Sequence, residues 1–240
     1  MSGHSKWSTI KRQKGLKDQK RGQTFTKLAN AITIAVKQGG LIGDPEQNFH
    51  LRLAIDAARA ANMPKENIER AINRAMGKEG GDLEEVVYEG FAPGGVSIII
   101  EAATDNASRT TAEVKSIFNK NSASFGQPGS VAYQFNRVGR IVVLKGSSSF
   151  DEIFNVALDA GAEDIDEAGD EVLIYTKYSD LSRVRAKIEE AGISIVEAGA
   201  VREPQIKMEV SDQALLEKIE NFVELLEGLD DVLKVYTNLA

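Results

Sequence analysis

A regular alternation of strand and helix patterns in the second half of the chain constrains its fold most strongly. Six segments follow one another in the order βαββαβ, with strands and helices in regular alternation. They are residues 140–144, 150–160, 163–167, 171–176, 181–191 and 194–200. Because this is the order of a ferredoxin-like unit, we predict such a domain at residues 137–203.

The segments on either side of this unit have no partners of their own. Strands are predicted at residues 86–91, 96–103 and 131–135, a helix at 108–119 and a turn at Val138-Gly139 before the unit. After it, strands are predicted at residues 206–210 and 232–236, with a helix at 212–227 between them. We therefore predict that residues 82–136 plus 204–240 form one discontinuous α+β domain into which the ferredoxin-like domain is inserted. A tandem of two α+β domains is the alternative.

The first third of the chain, residues 1–81, is predicted to be a basic arm followed by three short helices. Thr24 is positioned to cap a first helix with one buried face, which ends at Gly39-Gly40. Asp44-Pro45 is predicted to open the second helix, Met63-Pro64 to separate it from the third, and Gly77 to close the third. The predicted fold class is thus a multidomain α+β protein with an N-terminal three-helix domain.

Charge divides the chain along the same lines. Residues 1–79 hold 15 Lys or Arg against 7 Asp or Glu, whereas residues 80–240 hold 14 against 29. The whole chain carries a net charge of −7, so the first third reverses the sign of the rest. A basic segment on an acidic body is typical of a surface that meets a polyanion, most often nucleic acid.

Residues 1–27, the basic arm, contain eight of these cations and the single tryptophan of the chain. The predicted nucleic-acid-binding residues are Lys6, Trp7, Lys11, Arg12, Lys14, Lys17, Lys20, Arg21 and Lys27. A solvated terminus would have the same composition, and Trp7 either stacks on an unpaired base or is buried against the helices. Five cations on the predicted helices either extend the basic surface or pair with acids such as Glu66 and Glu69. They are Arg52, Arg59, Lys65, Arg70 and Arg74.

No arrangement of residues in the sequence is typical of a catalytic centre. The two histidines, His4 and His50, stand in separate segments, there is no cysteine, and phosphate-loop and nucleophile-elbow motifs are absent. We therefore predict a protein that is not an enzyme and that has no metal or other cofactor.

Three polar features have both a functional and a structural interpretation. The Pro93-Gly94-Gly95 segment could cradle an anion, but a turn between strands needs the same residues. Thr104-Asp105-Asn106 with Arg109 could contact a phosphate or a partner, although such clusters more often cap helices. The acidic run of residues 163–171 lacks the spacing of a calcium loop, so a solvated hairpin is the better interpretation.

The sequence has no segment suited to a membrane. Its longest uncharged apolar run, at about residues 28–36, is far shorter than the ~20 residues of a spanning helix. The basic start is not followed by an apolar stretch of the kind found in secretory signals. We expect a cytoplasmic protein without a membrane partner.

Several ordered segments closely resemble the YebC/PmpR family, which also includes the mitochondrial translational activator of cytochrome oxidase. These are Gly3-His4-Ser5-Lys6-Trp7, Lys20-Arg21-Gly22, Phe25-Thr26-Lys27-Leu28, Asn62-Met63-Pro64-Lys65-Glu66-Asn67-Ile68-Glu69-Arg70-Ala71-Ile72, Tyr88-Glu89-Gly90, Pro93-Gly94-Gly95-Val96, Thr104-Asp105-Asn106 and Gly161-Ala162-Glu163-Asp164. The resemblance implies an N-terminal helical domain and an α+β domain with a ferredoxin-like insertion. It also implies a non-enzymatic regulator of gene expression.

Two functions remain open, with a third far behind them. The first is a DNA-binding regulator of transcription, and the second is a translation factor bound to ribosomal RNA or the ribosome. The lysine-rich arm suits phosphate contacts in both cases, and Trp7 suits structured RNA at least as well as DNA. An enzyme or small-ligand sensor built on the ferredoxin-like unit is the third. The oligomeric state, monomer or weak dimer, is undetermined by the sequence.

Overall fold

The computed structural model of the chain describes residues 21–77, 82–146 and 148–240. The helices in this part are α1 (Arg21–Gln38), α2 (Phe49–Ala60), α3 (Lys65–Ala75), α4 (Ala107–Lys120), α5 (Phe150–Ala160), α6 (Leu181–Glu190) and α7 (Gln213–Glu227). The strands are β1 (Glu84–Phe91), β2 (Ser97–Thr104), β3 (Ser124–Phe125), β4 (Phe135–Leu144), β5 (Asp164–Ala168), β6 (Glu171–Lys177), β7 (Ile195–Pro204) and β8 (Val232–Thr237). The protein is therefore a multidomain α+β protein with helices at its N-terminal end.

Helix α1 organises the N-terminal half because it is buried on two sides. Ile32 and Val36 pack with α2 and α3 in one apolar cluster, while Ile34 packs with Leu83 and Ala103 in another. The prediction of a single buried face was therefore wrong. The unbroken apolar run of α1 is explained by its position between two small helices and a sheet, since a helix covered on both sides needs apolar residues around most of its circumference.

Two predicted helix starts were also wrong. Thr24 lies inside α1, which already includes Arg21, so it does not cap this helix. Asp44 accepts a hydrogen bond from the amide of Glu46 and closes a turn before α2. The cap of α2 is Asn48, whose side chain accepts from the amide of Leu51 and donates to the carbonyls of Ala35 and Ile42. This buried amide satisfies both the start of α2 and the end of α1.

The first sheet has the strand order β3-β1-β2-β8, with antiparallel neighbours throughout. Helices α4 and α7 cover one face of it, where Phe118 and Phe222 meet edge to face at 5.0 Å between ring centroids. The predicted strand at residues 206–210 is absent. Met208 makes a single bridge to Leu239, which is too little pairing to form a strand.

The second sheet has the order β5-β6-β4-β7, again antiparallel throughout, with α5 and α6 packed against it. Strand β4 runs without interruption, so the predicted turn at Val138-Gly139 was wrong. A Cβ atom at Gly139 would lie only 2.6 Å from Thr176 Oγ1 and 2.9 Å from Leu181 Cβ, so glycine lets α6 approach the strand closely. The predicted strand at residues 131–135 is a short 3₁₀ turn, Ala132–Gln134, that leads into β4.

The described residues divide into two compact units. Residues 135–205 make up one unit, and residues up to 134 together with 206–240 make up the other. The prediction of three domains, with a ferredoxin-like domain inserted at residues 137–203, stays a prediction. None of the helices described is both long enough and apolar enough to cross a membrane.

Candidate nucleic-acid interface

The predicted binding residues of the basic arm fall mostly outside the described residues. Lys6, Trp7, Lys11, Arg12, Lys14, Lys17 and Lys20 all lie there. Arg21 is the first residue of α1, so the arm leads directly into that helix.

Lys27 lies on α1 and has a structural partner. Its ammonium group donates a hydrogen bond to the backbone carbonyl of Glu227, the last residue of α7, and Gln23 reaches the carbonyl of Gly228 at 3.5 Å. A cation at this position complements the unpaired carbonyls and the negative end of the helix dipole. Lys27 thus holds α1 against α7, and its contact with nucleic acid stays a prediction.

An open groove of about 220 Å³ runs between α1 and α3. Helix α1 contributes one wall, α3 the other, and Met63 lies between them. The residues that line it are Phe25, Thr26, Ala29, Thr33, Met63, Asn67, Arg70, Ala71 and Arg74. The groove therefore has apolar and polar surfaces close to the end of α1 that joins the arm.

Two alanines and the hydroxyl group of Thr33 shape this groove. Thr33 is buried, and its Oγ1 donates to the carbonyl of Ala71 at 3.0 Å, which fixes the distance between the two helices. Ala29 and Ala71 have only a methyl group, so space is left towards the N-terminal end of α1. Met63 is buried and lies at the bottom of the groove. The chain turns just before it at Asn62, which has a left-handed backbone with φ of 58°.

The cations of α2 and α3 fall into two groups. Arg52 pairs with Glu46 at 3.5 Å, Arg59 with Asp56 at 4.0 Å, and Lys65 with Glu69 at 3.4 Å, so these follow the ion-pair alternative. Arg70 and Arg74 line the groove, four residues apart on one face of α3.

Arg70 is exposed, and within residues 21–77, 82–146 and 148–240 no carboxylate lies within ion-pair distance of it. Both arginines were among the predicted alternatives, whereas Phe25, Thr26 and Asn67 were not predicted as site residues. Their joint position could not be read from sequence, because α1 and α3 are brought together only by tertiary packing.

The Thr104-Asp105-Asn106 cluster is a structural network. Asn106 caps α4 by accepting from the amide of Arg109 at 3.0 Å. The Arg109 guanidinium group bridges Asp105 and Asp231 at 3.0 and 2.9 Å, so the predicted alternative of a helix cap fits this site.

Asp231 is the acceptor at the centre of that network. Its Oδ2 accepts from the hydroxyls of Thr110 at 2.6 Å and Thr104 at 3.0 Å, both fully buried residues. Burial acts to raise the pKa of the Asp231 carboxyl group, but hydrogen bonds from Thr110, Arg109 and Thr104 outweigh it, so the pKa lies below its ordinary value.

We expect Asp231→Asn to lower the free energy of unfolding by about 1–2 kcal/mol at neutral pH, because a charged acceptor of three hydrogen bonds becomes neutral. The folded pKa is depressed, so the stabilisation is present above the unfolded pKa of about 3.9 and is lost as pH falls through the folded value. The gap between the variant and the unsubstituted chain should therefore close in urea titrations repeated from about pH 6 towards pH 2. Asp230→Asn, at the exposed neighbour, is the control, and a gap that stays constant with pH would contradict this assignment.

The Tyr88-Glu89-Gly90 segment of β1 anchors the loop that follows β3. Glu89 is 6% exposed, and its carboxylate accepts from the amides of Gly129, Val131 and Ala132 at 2.7–2.8 Å. At Gly90 a Cβ atom would lie 2.5 Å from the Ser124 carbonyl oxygen and 2.6 Å from the Phe118 ring, so only glycine allows both neighbours to approach. This motif is therefore explained by packing and loop closure.

The Pro93-Gly94-Gly95 segment is a tight connection between β1 and β2. Gly94 and Gly95 have φ of 80° and 85°, a region that favours glycine, and the Ala92 amide donates to the Val96 carbonyl at 2.8 Å. The Leu215 side chain of α7 approaches Gly94 so closely that a Cβ atom there would lie 2.8 Å from it. The turn therefore also provides the surface on which α7 rests.

The acidic run at residues 163–171 forms the β5–β6 hairpin. Glu167 pairs with Lys145, and Glu163 lies 3.8 Å from Lys177. Among the described residues, no group of three or more histidine, aspartate or glutamate side chains could hold a metal ion.

The structure is that of an α+β protein with a helical, basic N-terminal end, two antiparallel sheets and a groove lined by two arginines. Two family models match it. The TACO1/YebC protein N-terminal domain matches residues 5–78, and the TACO1/YebC second and third domain matches residues 83–239. The chain belongs to the TACO1/YebC family.

Several known proteins are similar to this chain over nearly their whole length. A probable transcriptional regulatory protein of Roseiflexus castenholzii is 50% identical, covering 100% of this chain and 95% of the relative. One of Acidithiobacillus ferrooxidans is 49% identical, covering 99% and 94%. The crystal structure of a conserved hypothetical protein from Aquifex aeolicus is similar, with a TM-score of 0.86, 40% identity, and 93% and 91% of the two chains covered. The relatives named as regulators place this chain in a family of regulatory proteins.

Proposed function

We propose that this chain is a non-enzymatic regulator of gene expression that binds nucleic acid through the basic arm and the α1–α3 groove. The observation that carries the proposal is the position of Arg70 and Arg74, which line a groove beside the start of α1. The basic arm leads into this same end of α1. Clustered cations in a chain of net charge −7 favour a polyanionic partner.

Phosphate groups are the natural ligands of these cations. Arginine offers a planar fork of donors that matches two phosphate oxygens, and lysine acts as a point charge that positions the protein without reading bases. Residues 80–240 are acidic, with 14 Lys or Arg against 29 Asp or Glu, so a nucleic acid should be repelled by this part of the chain. Binding is thus confined to the N-terminal end.

DNA is our first choice of target, because the curated relatives are named probable transcriptional regulatory proteins. Ribosomal RNA, in a translation factor, is the alternative. It is favoured by the apolar surfaces of Phe25 and Met63 in the groove, because contact with the face of a base requires a base outside its stack. Crosslinking in cells followed by sequencing of both bound DNA and bound RNA decides between them, with enrichment of ribosomal RNA over promoters favouring translation.

Binding should depend steeply on salt. If about five of the eight arm cations engage phosphates, the logarithm of the affinity falls against the logarithm of salt concentration with a slope of roughly −3.5 to −4.5. Fluorescence anisotropy with the full chain and a labelled oligonucleotide measures this slope. A slope near zero would contradict phosphate binding.

The same titration tests the groove arginine. Arg70→Ala should reduce the steepness of the slope by about 1, because one phosphate contact is lost. Arg59→Ala removes the same charge from α2, where the side chain pairs with Asp56, and serves as the matched control. Equal effects of the two substitutions would show that only net charge matters.

A further inference from the structure

We propose that the α1–α3 groove receives one unstacked base of a nucleic acid, so that the chain prefers single-stranded or looped nucleic acid to a fully paired duplex. The inference rests on the proposed nucleic-acid binding and adds the class of ligand that the groove selects.

The size and lining of the groove suit a single base. Its volume of about 220 Å³, below the ~300 Å³ at which pockets for drug-sized ligands begin, is enough for one planar ring system. Phe25, Ala29, Met63 and Ala71 provide apolar surface for the faces of the ring. A base inside a duplex already has both faces covered by its neighbours, and it must leave the stack to use this surface.

Polar groups in the groove can contact the edge of such a base. The Asn67 amide has both a donor and an acceptor, as base edges do. Thr26 lies on the opposite wall, where its hydroxyl donates to the Gly22 carbonyl and keeps its capacity to accept. The Thr33 hydroxyl is already hydrogen-bonded to the carbonyls of Ala29 and Ala71, so its role is to set the shape of the groove.

Charges at the groove suit the phosphates on either side of the base. Arg70 and Arg74 lie one turn apart on α3 and present guanidinium groups beside the apolar surface. On α1, Phe25 follows Arg21 by four residues, a rise of about 6 Å. A nucleic-acid strand that places a base in the groove therefore lies within reach of the residues where the basic arm joins α1.

The test compares two probes, one with unpaired bases in a loop and one without unpaired bases. The first probe is a hairpin with 2-aminopurine in its loop, and the second is a fully paired duplex of similar length with 2-aminopurine in the stem. Both are made as DNA and as RNA. The full chain should bind the hairpin about tenfold more tightly, the low end of what one stacked base contributes, and the fluorescence of 2-aminopurine should change for the hairpin alone.

Thr26→Phe fills the groove from an exposed position on α1. It should remove the roughly tenfold preference for the hairpin and the 2-aminopurine signal. Ser182→Phe adds the same ring to the first turn of α6, far along the chain from the groove. It should leave the hairpin preference and the 2-aminopurine signal unchanged.

The outcomes separate this inference from the proposed function. If the unsubstituted chain binds none of the four probes, nucleic-acid binding itself is wrong. If it binds hairpin and duplex equally and the fluorescence stays constant, binding stands and the base-receiving groove is wrong. A preference for the RNA or the DNA hairpin identifies the source of the unpaired base.

Discussion

Neutralising the basic arm is expected to abolish most of the affinity for nucleic acid. With Lys6, Lys11, Arg12, Lys14, Lys17 and Lys20 all replaced by Gln, we expect a loss on the order of 10²- to 10³-fold at low salt, because about five phosphate contacts and the release of their counterions disappear. The salt dependence should flatten in parallel, by about 1 in slope for each contact removed.

Two triple variants separate a local effect from one of net charge. Lys11, Lys14 and Lys17 are changed to Gln in one, and the exposed Lys120, Lys177 and Lys218 in the other. Both lose three positive charges, but only the arm variant should bind more weakly by about tenfold or more. Equal losses would show that the arm is a solvated tail whose charge acts only from a distance.

Removing the Glu89 carboxylate is expected to give the largest loss of stability. Glu89→Ala leaves the amides of Gly129, Val131 and Ala132 without their acceptor, and Val131 is fully buried. An unsatisfied buried donor costs about 1–3 kcal/mol, and water can reach the exposed Gly129, so we expect a total of about 3 kcal/mol or more. Glu89→Gln should cost less, because one carbonyl oxygen remains to accept.

Hydrogen exchange locates this effect in the molecule. The amides of Val131 and Ala132 should exchange much faster in Glu89→Ala, because their protection depends on this one side chain. Glu84→Ala, at an exposed position of the same strand, is the control and should change stability by no more than about 0.5 kcal/mol. Unchanged exchange at Val131 would mean that the loop is held by other contacts.

The type and order of most elements could be predicted because they depend on local patterns. Helix α5 was predicted with its observed bounds, and local contacts fix both ends. Ser149 and Glu152 form a capping box at its start, and Gly161 ends it with φ of 101°. Strands β5 and β6 were predicted to within a residue, on either side of the turn at Gly169. The errors came where packing overrides local preference, as at Gly139, where α6 requires a residue without a side chain.

The candidate site was predictable only in part. Charge counts located a basic surface in the first third of the chain, since net charge needs no knowledge of packing. They could not separate Arg70, which lines the groove, from Lys65, which pairs with Glu69, because the difference depends on which way each residue faces on α3.

Most of the succession of helices and strands, and the opposite net charges of the two parts of the chain, could be predicted from the sequence alone. Both follow from interactions between residues that are close in sequence or from simple counting. The tertiary structure alone decided that Phe25 and Arg70 share a groove, that Asp231 holds Thr104, and that Glu89 closes a loop some forty residues away. These contacts join distant parts of the chain, and they form only when burial of the apolar faces brings α1 onto α3 and β8 onto β2.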